Sequence, residues 1–137
     1  MNDKSTCFLD SNLLIYAHTT LDQSKQQRIQ QLIAEEYTFI STQVLKETAN
    51  VLFRKFRFPW MTIQQVLQEM QQNNQVYTNT AMTIQLACGI AQRYQFSFYD
   101  SLIIGSALEA GCITLYSEDM QHEQVIEKRL TIRNPFL

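Results

Sequence analysis

The chain is short of the residues that break regular structure. Its 137 residues include only 3 glycines and 2 prolines. That scarcity argues against an open, loop-rich all-β protein and for a helix-rich one. Cysteine is scarce as well. Cys7, Cys88 and Cys112 are odd in number and widely spaced, and no spacing matches a zinc site. They read as small buried apolar side chains in a reducing compartment. Positive charge is not in excess: 11 Lys and Arg face 13 Asp and Glu, for a net charge of −2 and a pI of about 5.6. This excludes a protein that holds nucleic acid by overall charge. A polyanionic substrate would need a local basic patch or a bound cation. Long hydrophobic runs are missing too. The stretch Leu102 to Leu108 is far too short to cross a membrane, and MNDKSTC has neither the basic start nor the apolar core of a signal peptide. A cytoplasmic protein is expected.

What is present is enough for one core. The length suits a single domain over 1–137, and the hydrophobic content of 45% is ordinary for a globular protein. Cys7-Phe8-Leu9 reads as a buried strand, followed by helical spacing through Ala17. A second helix starts near Asp22 or Ser24, where Ser24-Lys-Gln-Gln27 fits a capping box. YTFIS (37–41) alternates as a strand. A helix over 42–58 follows, ended by Pro59, and then a helix capped by Thr62. QVYT (75–78) is a short strand candidate. Helices from Thr80 to Tyr94 and Tyr99 to Ala110 come next, with Gly111 as a helix stop. CITLY (112–116) and LTIRN (130–134) are the last strands. Strands separated by helices imply a mainly parallel sheet covered on both faces, an α/β fold with three α/β/α layers.

Ligands of open parallel sheets sit outside the carboxyl ends of the strands. Four acids are expected on that rim: Asp10 after the first strand, Glu47 one turn into the helix after YTFIS, Asp100 at the start of YDSLIIGSAL, and Asp119 after CITLY. Each alone has a plain structural explanation. Asp10 and Asp100 could cap helices, Glu47 could be a solvated helix residue, and Asp119 could belong to a turn. Gathered together, carboxylates repel, and a divalent cation removes that cost. An oxygen-only set suits Mg2+ or Mn2+ and not zinc. Such an ion polarises a phosphoryl oxygen and activates water, which points to phosphodiester hydrolysis.

With these residues in view, the chain resembles a PIN domain, in particular the toxin subunit of VapBC-type toxin–antitoxin pairs. The resemblance rests on FLDSNLLIY, QVLKETANVL, FYDSLIIGSALEAGCITLYSEDMQ and LTIRNPF, and it spans essentially the whole chain. It implies a metal-dependent endoribonuclease whose acid quartet falls on Asp10, Glu47, Asp100 and Asp119. The family's acid in the SED segment matches Asp119, so Glu118 is passed over. Asn12 and Ser117 match polar positions that support the acids. The resemblance also implies products with a 5′-phosphate and a 3′-hydroxyl, a small antitoxin whose C-terminal segment blocks the site, and a homodimer.

Arg54, Lys55 and Arg57, interleaved with Phe56, Phe58 and Trp60, form the densest basic and aromatic cluster. They are candidates for RNA contact or for a solvated helix end. Lys128, Arg129 and Arg133 are a weaker set. His18 and His122 read as surface residues, and Tyr94, Phe96, Phe98 and Tyr99 as core and interface. Three other readings remain: a PIN nuclease of RNA processing that is no toxin, an acid-rimmed phosphohydrolase, and a binding module that holds a basic peptide without catalysis. A phosphatase of the haloacid dehalogenase type would want a second aspartate at Asn12. A phosphoacceptor receiver domain would want an aspartate and a lysine near Ser41 and Ser117.

Overall fold

Cys7, Phe8 and Leu9 are wholly buried and form the middle of the sheet in a computed structural model that describes residues 6–137. The start of the MNDKSTC segment lies outside the described residues. The first strand, β1 (Thr6–Leu9), pairs in parallel with β2 (Tyr37–Ser41) on one side and β4 (Thr114–Tyr116) on the other. The chain fills one half of the sheet with β2 and β3 (Gln75–Tyr77), then returns across β1 to build the other half. That half holds β4 and β6 (Leu130–Arg133), with β5 (Val125–Ile126) antiparallel at the edge. The strand order is β3-β2-β1-β4-β6-β5. The topological switch point, where crevices form in such sheets, is therefore the carboxyl end of β1.

Six helices cover this sheet among the described residues. α1 (Ser11–His18) packs on α2 (Gln23–Glu35) and α3 (Thr42–Arg54), and α3 packs on α4 (Trp60–Asn73). α5 (Ala81–Tyr94) pairs with α6 (Phe98–Glu109), which touches β2 and β4. Residues 101–108 of α6 are all buried, which explains why that helix is apolar all round. Gly111 follows it at φ 78, a left-handed stop that glycine adopts without cost. Among the described residues, no helix is long and apolar enough to cross a membrane.

Several local expectations shift. Asp22, not Ser24, caps α2, accepting from the Lys25 N–H at 3.1 Å. α3 ends at Arg54 well before Pro59, because half-buried Phe56 and Phe58 turn back onto the core through Arg57 at φ 60. Pro59 instead precedes α4, which starts at Trp60 without the Thr62 cap. The β5–β6 hairpin was invisible in the sequence. Its turn residues Glu127 and Lys128 both have positive φ, 53 and 58, where Asn-Gly is usual. α5 holds this turn in place: Arg93 and the Tyr94 hydroxyl each bond the Glu127 carboxylate at 2.7 Å. Cys7 and Cys112 are buried as expected, but Cys88 is exposed.

Candidate active site

The end of β1 places Asp10 at the switch point, 8% exposed. Its backbone N–H continues the sheet by bonding the Tyr116 carbonyl at 3.0 Å, and its side chain caps α1. The Ser11 N–H donates to Oδ1 at 2.8 Å and the Ser117 hydroxyl donates to Oδ2 at 2.9 Å. Ser117 is itself fully buried, because its N–H bonds the Arg133 carbonyl at 3.0 Å beside β6. Burial pushes the Asp10 carboxyl up from 3.8 to about 6. The hydrogen bonds from Ser117 and Ser11 pull it down, and the nearby charges of Asp100 and Glu47 push it up again.

Glu47 is half-buried and tied on both oxygens. The Ser11 hydroxyl donates to Oε1 at 2.9 Å, and the Gln43 amide donates to Oε2 at 3.3 Å from one turn earlier on α3. The same Gln43 amide donates to the Tyr99 carbonyl at 3.1 Å, the residue before Asp100. Asp100 is not the helix cap that its position suggested. Ser97 is the cap, accepting from the Asp100 N–H at 3.2 Å, so the Asp100 carboxylate has no capping duty. It lies in the first turn of α6, where the helix dipole favours negative charge. Asp119 is exposed and hydrogen-bonded to the Asn12 amide.

One turn of α1 therefore threads the site. Ser11 links Asp10 to Glu47, Asn12 holds Asp119, and Gln43 carries the linkage on to α6. The structure brings both Glu47 and Asp100 within electrostatic reach of Asp10. Asp119 lines a small cleft with Asn12, Tyr16, Lys55 and Glu118. Lys55 thus reaches the acid rim, while Arg54 and Arg57 are exposed without such a placement. Glu118 is occupied elsewhere, paired with Lys25 and bonded by the Tyr16 hydroxyl at 2.6 Å.

The PIN domain family model matches residues 7–128. The chain belongs to the PIN domain family. This PIN domain shares its fold with solved VapC toxins. Over 82% of this chain and 89% of the other, it is similar to Mycobacterium tuberculosis VapC20, described as a sarcin–ricin loop cleaving toxin, with a TM-score of 0.68 and 19% identity. Rickettsia felis VapBC2 bound to a promoter DNA fragment aligns over 94% of this chain and 98% of that one, with a TM-score of 0.70 and 17% identity. DNA-bound VapBC from Salmonella typhimurium aligns over 96% and 98%, with a TM-score of 0.69 and 15% identity. No curated protein matches the chain in sequence.

The residues of this PIN domain fit a hard divalent cation. The donors are all oxygens, and among the described residues none of the four acids is paired with a lysine, arginine or histidine. No three carboxyl, imidazole or thiol groups among the described residues stand close enough to cage an ion unaided. Glu47 and Asp119 are turned to hydrogen-bond donors, and Mg2+ or Mn2+ brings its own waters to such an open site.

Sequence reasoning missed Gln43, Ser11 and Asn79. Gln43 stands four residues before Glu47 on one helix, which was a readable signal. Asn79 was not readable: its side chain accepts from the Thr42 hydroxyl and the Gln43 N–H at 3.0 and 3.1 Å, a contact across 36 residues or more. Among the described residues, neither histidine pairs with any of the four acids. His18 is half-buried beside Glu69, with burial lowering its pKa, and His122 accepts from the Asn134 N–H at 2.9 Å. Phe98 and Tyr99 are exposed rather than core, Tyr99 at 63%.

Proposed function

We propose that this PIN domain is a Mg2+- or Mn2+-dependent endoribonuclease and the toxin of a type II toxin–antitoxin pair. The observation that carries the reading is the group Asp10, Glu47 and Asp100: three carboxylates at the sheet's switch point, none paired with a cation side chain among the described residues, with the charges of Asp100 and Glu47 adding to the cost of ionising buried Asp10. Asp10, Glu47, Asp100 and Asp119 would hold the ion. The ion supplies, when bound, the positive charge that polarises a phosphoryl oxygen and makes an attacking water more acidic. Ser117 and Ser11 orient Asp10, Ser11 and Gln43 orient Glu47, and Asn12 orients Asp119. Lys55, on the wall of the Asp119 cleft, meets a phosphate of the RNA, and Arg54 and Arg57 extend that positive edge. Attack by water with the 3′-oxygen as leaving group gives a 5′-phosphate and a 3′-hydroxyl.

The toxin reading brings an antitoxin and a homodimer with it. Support comes from the VapBC complexes that share the fold, and from exposed apolar side chains that suit protein contacts. Phe53 and Trp60 stack at 4.4 Å while 43% and 57% exposed, beside Met61. Finding a short antitoxin-like reading frame upstream of the gene would favour the toxin over an RNA-processing nuclease. The experiment incubates the purified protein with small structured RNAs, with and without Mn2+. Cleavage is expected only with metal, and Asp10→Ala and Asp100→Ala should each lose more than about a hundredfold of it while circular dichroism stays native. Metal-independent cleavage, or full activity in both variants, would overturn the mechanism.

A further inference from the structure

Asp119 has a placement problem that the other acids do not. It is exposed, and it lies between β4 and β5 on a segment without regular structure. The acid beside it is held far more firmly. Glu118 accepts from the Tyr16 hydroxyl at 2.6 Å and pairs with Lys25. The Lys25 ammonium is also 3.4 Å from the Tyr16 hydroxyl. It sits over two rings, 4.8 Å from the Tyr16 centroid and 4.9 Å from that of Phe136. Those rings meet edge-on at 5.7 Å, and Arg28 secures the tail by donating to the Pro135 carbonyl at 2.9 Å. Tyr16 stands one turn beyond Asn12 on α1, so one helix face grips both consecutive acids: Asn12 takes Asp119, and Tyr16 takes Glu118.

We propose that Tyr16 and Lys25, backed by Phe136, are positioning residues that fix Asp119 on the acid rim by locking the adjacent Glu118 to α1 and α2. The proposal rests on the reading that the rim holds a divalent cation. Glu118 is the tether, not a ligand: its charge is matched by Lys25, and its oxygens are spent on Tyr16 and Lys25. Releasing it leaves Asn12 as the one side chain holding residues 118 and 119, among the described residues. The fold, built on β1, β4 and β6, does not depend on that tether, but the ion's fourth acid does.

The test measures Mn2+ binding by electron paramagnetic resonance of the free ion, alongside melting temperature and amide hydrogen exchange of the metal-free protein. Lys25→Met keeps the stem over the rings and removes the charge. It should weaken Mn2+ binding about tenfold, the scale of losing a group that orients a ligand. Its metal-free melting temperature should stay within a few degrees of the wild type, and the amides of residues 118–120 should exchange faster. Tyr16→Phe should lose several-fold, and Lys25→Arg should restore most of the affinity. Adding Glu118→Gln to the Lys25→Met, Tyr16→Phe double variant should cost nothing more, because both grips on Glu118 are already gone. A further loss in that triple variant would make Glu118 a ligand and overturn the proposal. Wild-type affinity in both Lys25→Met and Tyr16→Phe would also overturn it, leaving the acid rim itself intact. If the wild type takes up no Mn2+, the cation reading fails and this proposal fails with it. Should Lys25→Met not fold, Tyr16→Phe decides by the same criteria.

Discussion

Asp10 and Asp119 sit on the same rim yet are held in opposite ways. Asp10 is buried, grows directly out of the central strand, and is bonded by the first N–H of α1 and by Ser117 just past β4. Asp119 is exposed on a loop and owes its place to Asn12 and to the anchoring of its neighbour. The difference shows how one site combines a rigid, buried acid, whose charge is costly, with an exposed acid held by its neighbours. Burial makes Asp10 resist ionisation, so a cation has most to gain there. Asp119 stands exposed on a loop, so precision must come from tethers.

The largest expected effect tests the costly charge. The folded-state pKa of Asp10 is raised to about 6 from 3.8. The folded chain therefore binds this proton more readily than the unfolded chain does. Its contribution to stability is full below about pH 4, falls as pH rises through about 6, and is constant above. Two pH units correspond to at most about 3 kcal/mol. Melting curves of the metal-free protein between pH 4 and 7, read as wild type minus Asp10→Asn, should show this decline. Mn2+ should raise the melting temperature more at pH 7.5 than at pH 5, because ion and proton compete for the same oxygens. A difference curve that rises with pH would contradict the burial of Asp10.

Removing one holder of the rigid acid comes next. Ser117→Ala strips the Oδ2 partner from a buried carboxylate and should cost about 1–3 kcal/mol in urea unfolding. Its cleavage rate should fall by roughly ten- to a hundredfold. The smallest effect is expected on the exposed side. Asn12→Ala removes a bond at the surface and should leave stability within about 0.5 kcal/mol. It should still raise the Mn2+ concentration needed for half-maximal cleavage. If Asn12→Ala destabilised the fold as much as Ser117→Ala, the contrast between a rigid and a tethered acid would collapse.

Much of this arrangement was legible in the residues. Cys7-Phe8-Leu9 ending on Asp10 announced a buried strand with an acid at its carboxyl end. The regular alternation of strands and helices put Glu47 and Asp100 on the same rim. Other parts were hidden because their cause lies far along the chain. Pro59 looked like the stop of a long helix, but Phe56 and Phe58 reach the core only if the chain turns earlier. Glu127-Lys128 carries no turn signal, and the hairpin depends on Arg93 and Tyr94 of α5 to hold it. Glu118 and Asp119 were neighbours with equal claims by charge alone, and the resemblance, not the spacing, preferred Asp119.

By itself the sequence determined the succession of elements and which acids could reach the strand ends, because side-chain periodicity and strand direction are local properties. Only the tertiary structure decided what each acid does there. It made Asp10 costly to ionise by burying it where β1 ends beside β4, against Ser117. It spent Glu118 on Lys25 and Tyr16 and left Asp119 to Asn12. Burial and partnership are set by groups that meet across the fold, and no window of neighbouring residues contains them.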